Sequence, residues 1–574
     1  MTPLMKHSIR TLIICAIATL TSLGAFAQYD QTIEVEGKYV PEVIPRERVA
    51  IFPPQQKFRF SATPLPFSET GVHANFHPQA IPMPATGWRT SRNYDTSRGY
   101  ADLSLGSFLN ASLSAGYRII DSEATTLGVR LQHNSTSLFH PRLADAVRDV
   151  RRYLYDESLA LYSSHDFSGK GRLDATLQYH LSLFNYYGFN PAQAAPDAAL
   201  KAPTQTLNDF TARFKWSSPA VIDDISYSAT LGARYFGYRA LPLPGSDDIR
   251  GTRETNVFLD ASFAFPTSRS SSAGIDLDAD LLCYANGKSY GMLTLTPYYR
   301  FARQRLNIRI GARIDLAFNA GTSLFSEIPS RRYSTFHIAP SVSAEYAAGP
   351  ASLYVRLLGG STLHTLAALS QLDFYGIPAL LSTRPVYAPL DGSLGASFGP
   401  FRGLSAGLDF AYRIARDQFT GGWFMPWLNG DLSLAATSPL DTYKIHGFSL
   451  GLNLAYNPAA CLNLSAEARY QPQHGEKGYF NGFDRPRWTL NARAESNPWR
   501  SLRLGVDWQL RAVRSILGVR LPDISLLGAN VAYSFTPRFS IWLRGDNLLN
   551  RRDPAMLSLP MQGLSFAIGA GINF

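Results

Sequence analysis

Cysteine is almost missing from this chain, with three in 574 residues. Cys15 falls inside an N-terminal apolar run that we read as removable, which leaves Cys283 and Cys461 in strand-like segments. Nothing in the sequence places those two close enough to pair. Long apolar runs are missing as well. Beyond the N-terminus no stretch approaches the ~18 consecutive apolar residues of a membrane helix, which excludes a helical membrane protein. Catalytic and metal signatures are also lacking: no H-E-x-x-H, paired-cysteine motif, Walker loop or G-x-S-x-G stands in a fitting context. His73 and His77 have helical ligand spacing but lie in a Pro-flanked, non-helical stretch. The chain is read as a non-enzyme without metal or cofactor. A strong excess of one charge is missing too. The net charge of +10 is spread along the chain and includes Lys6 and Arg10 of the N-terminus, so there is no stripe for nucleic acid.

What is present begins with an export signal. Lys6 and Arg10 form a basic region, Thr11 to Leu23 an apolar one, and Ala25-Phe26-Ala27 a cleavage site, so residues 1–27 are expected to leave and the mature chain to start near Gln28. No cysteine follows that site, which argues against a lipoprotein. From about Arg98 onward the hydrophobic period is two. Leu109, Ala111, Leu113, Ala115 and Tyr117 alternate with Asn110, Ser112, Ser114 and Gly116, and Leu502, Leu504, Val506, Trp508 and Leu510 alternate with polar partners. Such alternation gives each strand one apolar and one small or polar face.

About 22 such strands can be counted. They begin near 98, 109, 124, 153, 171, 205, 223, 252, 271, 289, 304, 335, 350, 388, 402, 443, 461, 486, 501, 524, 538 and 563. The connections form a partly independent pattern. After even-numbered strands they are tight and rich in turn formers, as at Ser217-Ser218-Pro219, Gly349-Pro350 and Asn497-Pro498. After odd-numbered strands they are mostly long, as at 137–152, 186–204, 362–387 and 415–442. Short turns on one side and long loops on the other are the rhythm of an outer-membrane barrel. The fold class is therefore all-β: a transmembrane antiparallel barrel over 98–574, with short periplasmic turns and long extracellular loops. Outer-membrane lipids and acidic lipopolysaccharide are its natural surroundings, and barrel-assembly machinery its expected partner in biogenesis.

The last strand agrees. Leu564, Phe566, Ile568, Ala570, Ile572 and Phe574 share one face, and a final aromatic on an amphipathic strand resembles the C-terminal sorting signal of such barrels, carried here by Phe566, Ile568, Ile572 and Phe574. Aromatics gather near strand ends (Phe184, Tyr186, Tyr187, Tyr235, Phe236, Tyr238, Tyr298, Tyr299, Trp488, Trp508, Trp542), some for the interfacial girdles and those of the wrong parity, such as Trp542, for the lumen. Parity also puts Asp276, Asp278 and Asp280 on one inward face and Arg305, Arg309 and Arg313 on another, two strands on. Long arginines can reach across one intervening strand at about 4.8 Å spacing. These charges are either a salt-bridge ladder that stiffens the wall, or an ion-selective lining or plug-docking surface. Trp423, Phe424 and Trp427 make the loop 415–442 aromatic, for sugars, a partner or the lipid interface. His133 and His140 lie near the outer rim, where parity alone assigns them no Ser or Asp partner.

About 22 strands behind a periplasmic segment resemble the barrel of TonB-dependent outer-membrane receptors. Arg544-Gly545-Asp546-Asn547-Leu548-Leu549-Asn550-Arg551-Arg552 resembles, in part, the Asn-Leu-Phe-Asp/Asn-Lys-x-Tyr stretch that precedes the last strand of those receptors, with Leu549 in place of the usual aromatic. The resemblance implies a plug domain, and here the chain departs from it: residues 28–97 are too few for a full domain. Within them Thr32, Ile33, Glu34 and Val35 resemble a TonB box, which implies TonB as a partner. The rest is dense in proline (Pro41, Pro45, Pro53, Pro54, Pro64, Pro66, Pro78, Pro82, Pro84) and carries apolar residues such as Ile51, Phe52, Phe58 and Trp88. That composition suits an extended segment docked on the barrel wall or on another protein. A barrel this wide needs its lumen closed. Three functions follow: a barrel subunit of a complex for transport, secretion or membrane-protein assembly, with protein partners at 28–97; a TonB-dependent uptake receptor with a minimal plug; or a passive porin-like channel.

Overall fold

The computed structural model describes residues 97–139, 152–168, 170–185, 204–219, 225–239, 253–285, 287–319, 336–372, 385–419, 422–424, 436–438, 442–475, 486–516, 519–552, 554–556 and 559–574. The expected signal peptide, the TonB-box-like Thr32 to Val35 and the Pro-rich segment up to residue 96 lie outside them.

The described chain is a closed antiparallel barrel of 22 strands. The first are β1 (Gly99–Gly106), β2 (Ala111–Asp121), β3 (Thr125–Phe139), β4 (Arg152–Asp166), β5 (Arg172–Asn185) and β6 (Thr204–Ser217). Then come β7 (Ser226–Tyr238), β8 (Arg253–Ser268), β9 (Ser271–Tyr284), β10 (Ser289–Arg303), β11 (Leu306–Phe318) and β12 (Phe336–Ala348). β13 (Ala351–Thr362), β14 (Val386–Phe401), β15 (Leu404–Phe419) and β16 (Thr442–Ala459) follow. β17 (Leu462–Tyr470) is continued on the same neighbour by Gln473–Gly475. β18 (Trp488–Trp499), β19 (Leu502–Ala512), β20 (Ile524–Ser534), β21 (Phe539–Asp546) and β22 (Ser565–Asn573) complete the wall. Every start lies within three residues of the position read from the alternating pattern. One-residue slips would have turned apolar faces inward, so the periodicity fixes register as well as existence.

Closure is made by β1 and β22, which pair from Tyr100 opposite Asn573 to Gly106 opposite Ala567. Phe574 extends that pairing through two backbone bonds with Gly99, at 2.7 and 2.9 Å. A closed wall leaves no strand edge unsatisfied in lipid. On the outside, Leu103, Leu131, Leu159, Leu231, Val257, Leu281, Ile310, Leu394, Leu408, Val506 and Ile568 are all exposed, an apolar belt that runs round the barrel. Exposed apolar surface of this extent suits hydrocarbon rather than water. No helix among the described residues is long and apolar enough to cross a membrane, and the strands do the crossing. Parity sorts the aromatics. Tyr235, Tyr299 and Trp488 face outward and are exposed, while Phe184, Phe236 and Tyr238 are buried on the inner face.

Three details correct or refine the sequence reading. Arg305 does not share the inward strand face of Arg309 and Arg313. Gln304 takes a positive φ of 44° in the tight β10–β11 turn, β11 starts at Leu306, and Arg305 is left exposed in the turn. The expected loop 415–442 is partly strand: β15 runs on to Phe419, and Gly422–Phe424, with Trp423 and Phe424, pairs with Ala436–Ser438 as a small hairpin; Trp427 lies outside the described residues. Cys283 and Cys461 are both free and exposed.

Candidate functional site: the lumenal lining and an infolded segment

The inner wall is a series of charge pairs between strands or along one strand. Arg234 grips Asp209 with two nitrogens (2.8 and 2.5 Å). Arg493 meets Glu495 at 2.5 Å, Arg544 meets Asp546 at 2.8 Å, and Arg356 meets Glu345 at 3.3 Å. Arg309 of β11 spans β10 to pair with Asp276 of β9, and its guanidinium carbon lies 3.7 Å from the Tyr298 ring centroid on the strand it crosses. Planar stacking and ion pairing together suit arginine and not lysine here. Asp280 accepts from Asn256 Nδ2 at 3.2 Å, whereas Asp278 stands directly opposite Asp260 of β8. Arg313, the other inward arginine of β11, turns to its own strand and to β13.

That turn organises the outer end of the lumen. The Asp315 carboxylate, 1% exposed, accepts from Arg313 Nε (2.8 Å), Thr294 Oγ1 (2.8 Å) and the Ser361 backbone N–H (2.5 Å). Arg313 Nη2 donates to the Ser361 carbonyl at 2.6 Å. Ser361 Oγ lies 3.0 Å from His337 Nδ1, and the His337 ring stacks on Tyr387 at 3.9 Å. The contact is possible because β13 bulges against β14 between Leu358 and Gly360. Gly360 has φ +127°, and a Cβ there would lie 2.5 Å from Arg313 Nε. Glycine is required both for the backbone and for the guanidinium crossing it.

Beyond Thr362, the last residue paired with β14, the chain leaves the wall. The chain passes His364 and forms α1 (Leu366–Leu372), whose Leu366, Ala367 and Leu369 are buried. Thr365 caps the helix through Oγ1, which accepts from Ala368 N at 3.0 Å. The first helical N–H, of Leu366, donates to Glu254 Oε2 at 2.9 Å, a side chain 112 residues away on the inner face of β8. Glu254 lies directly opposite Phe236 of β7 and Tyr284 of β9, both buried. An outer connection is thus fastened inside the barrel at two points, Asp315 and Glu254. The barrel's width calls for a closed lumen, but nothing in the sequence marks this segment as part of the closure.

His364 carries a pH dependence. Burial, with the Arg413 guanidinium beside it, pushes its imidazole down to about 4. Released from the wall it would titrate near pH 6.5. The free segment therefore binds a proton that the docked one refuses, and docking weakens as pH falls from about 6.5 towards 4. Amide exchange over Leu366–Leu372, corrected for intrinsic rates, should show protection at pH 7 that is lost at pH 4.5; equal protection at both would sink the assignment.

The stretch before the last strand is a built turn. Asn547 and Asn550 both adopt φ of 50°, a left-handed conformation that asparagine tolerates well. Asn547 Nδ2 donates to the Arg551 and Gln562 carbonyls (2.6 and 2.8 Å), and Asn550 Oδ1 accepts from Leu564 N (3.1 Å). Its role is to bring the chain back into β22. No group of three or more metal-ligating side chains is found among the described residues. Sequence reasoning missed Glu254, Asp315, Ser361 and His337, although inward parity marked the first two.

These features define a closed transmembrane β-barrel of the outer-membrane type. The wall matches that of TonB-dependent receptors. The FrpB iron transporter from Neisseria meningitidis is similar over 83% of this chain and 81% of its own, with TM-score 0.62 and 11% identity. The siderophore receptor PirA from Acinetobacter baumannii matches over 83% and 80%, with TM-score 0.61 and 11% identity. A mutant of the ferric enterobactin receptor PfeA from Pseudomonas aeruginosa matches over 83% and 80%, with TM-score 0.59 and 13% identity. At such identities the likeness is one of fold. No protein-family model and no curated protein matches the chain.

Proposed function

We propose that this barrel is an energised uptake receptor of the bacterial outer membrane, with residues 28–97 as a reduced plug and Thr32 to Val35 as the segment that engages TonB. The observation that carries the reading is the segment 363–372, turned into the lumen and fastened at Asp315 and Glu254. A segment fastened at buried carboxylates narrows the lumen, which favours a closed receptor over a wide open channel. The reading as a subunit of a larger complex rested on the need for something to fill the lumen, and this segment supplies part of that filling from the chain itself. The similar solved proteins are an iron transporter and siderophore or ferric enterobactin receptors, and an iron chelate is the ligand class we assign.

Deleting 28–40 is the test. Uptake of iron chelates by iron-starved cells should fall to the level of a strain lacking the protein, with the barrel present at its normal amount in the outer membrane. Unchanged uptake, or loss of co-purifying proteins with uptake intact, would overturn the receptor reading.

A further inference from the structure

Two serine–histidine–carboxylate groupings stand on the first strands, and they are wired differently. On the lumenal face Asp156 of β4 accepts from His180 Nε2 (2.7 Å) and from Ser182 Oγ (2.5 Å), both of β5. Serine and imidazole there converge on one carboxylate, and Ser182 Oγ is 3.5 Å from the ring. On the outer face the imidazole stands between the other two. His133 Nδ1 lies 2.5 Å from Glu157 Oε1, and His133 Nε2 lies 3.0 Å from Ser135 Oγ. A carboxylate can only accept, so Nδ1 carries the proton and Nε2 is left as the base facing the serine.

Strand geometry builds this grouping. His133 and Ser135 are two residues apart on β3 and share a face, and Glu157 of β4 is directly opposite His133 in the register. The same face carries Leu131 and Leu159 one step towards the middle of the barrel, 39% and 48% exposed, and Tyr155 directly opposite Ser135. Tyrosine at the edge of an apolar belt marks the membrane interface. The serine therefore stands on the lipid side of the wall, at the boundary between acyl chains and headgroups, the depth at which lipid esters lie.

We propose that Ser135, His133 and Glu157 form a hydrolytic site for an acyl ester of an outer-leaflet membrane lipid, a role distinct from uptake and independent of it. Ser135 Oγ bonds to the ester carbonyl carbon as its proton passes to His133 Nε2. The carbon–oxygen bond to the lipid alcohol then breaks, and the alcohol leaves with that proton. Water attacks the acyl-serine, giving its proton to His133. The fatty acid departs as Ser135 Oγ takes the proton back. Glu157 touches no reacting atom. It is a positioning residue that holds the imidazole in the productive tautomer and offsets the charge of the imidazolium.

The test uses the full-length barrel in detergent micelles, with a fluorophosphonate probe mapped by mass spectrometry and fatty-acid release measured on a phospholipid and, separately, on an acylated phosphorylated glycolipid. The probe should label Ser135, and at least one lipid should release fatty acid; which one names the substrate. Ser135→Ala should abolish labelling and release, and His133→Asn should lower the rate on the order of 10²–10⁴-fold. Glu157→Gln should lower the rate and move the pH–rate profile, with Glu157→Asp restoring part of it. Each variant is confirmed as folded by its heat-modifiable migration. Folded barrel that neither takes the probe at Ser135 nor cleaves either lipid would overturn the proposal, as would release that persists in Ser135→Ala.

Discussion

Asp315→Ala should release the infolded segment and destabilise the outer end of the barrel by about 3–5 kcal/mol, the usual cost of removing one partner from a buried ion pair. The carboxylate satisfies the Arg313 guanidinium, the Thr294 hydroxyl and the Ser361 amide together, and it is buried to 1% exposure. Alanine takes this acceptor from Arg313 Nε, the Thr294 hydroxyl and the Ser361 N–H together, and the cationic donor dominates the penalty. Asp315→Asn separates charge from shape. It keeps one acceptor oxygen but brings two new donors against existing donors, so an effect of similar sign is expected. Gly360→Val approaches the same assembly from the opposite side, since its side chain would occupy the space of the guanidinium. The readouts are the temperature at which heat-modifiable migration is lost and the protease sensitivity of 363–372. A variant as heat-resistant and protease-resistant as the parent would show that the carboxylate does not hold the segment.

Removing Ser565–Phe574 should abolish the folded protein altogether. β22 satisfies Phe539 to Asp546 of β21 on one side and Tyr100 to Gly106 of β1 on the other. Without it two strand edges meet lipid, where each unsatisfied backbone group costs several kcal/mol. Phe574→Ala is the mild version. Its ring stacks 6.3 Å from that of Tyr117 and covers Gly99, so its loss should slow assembly without preventing it. Membrane fractions probed for heat-modifiable barrel would distinguish the two. Folded, membrane-resident protein lacking β22 would contradict the account.

Much of this architecture is legible in the sequence because a barrel in lipid leaves strand alternation little freedom. Leu502 to Leu510 has one apolar face, and that face must meet hydrocarbon, so register and orientation follow together. Trp542, on the wrong parity, was correctly read as lumenal: its Nε1 donates to Asp102 Oδ2 at 3.1 Å. What escaped were contacts set by tertiary placement. Leu366–Leu372 is a short helix whose partner is 112 residues distant, and no local pattern pairs it with Glu254. Arg305 was misplaced because a two-residue turn at Gln304 ends the strand pattern without proline or glycine. The outer-face grouping lay in between. Parity left His133 without an assigned partner although Ser135 shares its face, and Glu157 is reached only through the β3–β4 register, which the long connection between those strands hides.

The ring of Trp542 lies over Gly569 of β22, where a Cβ would come within 2.4 Å of it, and reaches on to Asp102 of β1. The first, last and penultimate strands are consequently laced by a crosspiece as well as by their backbone ladders. Prising either seam apart means breaking a ladder and this lacing in the same movement. A wall fastened in that way resists parting sideways into the bilayer.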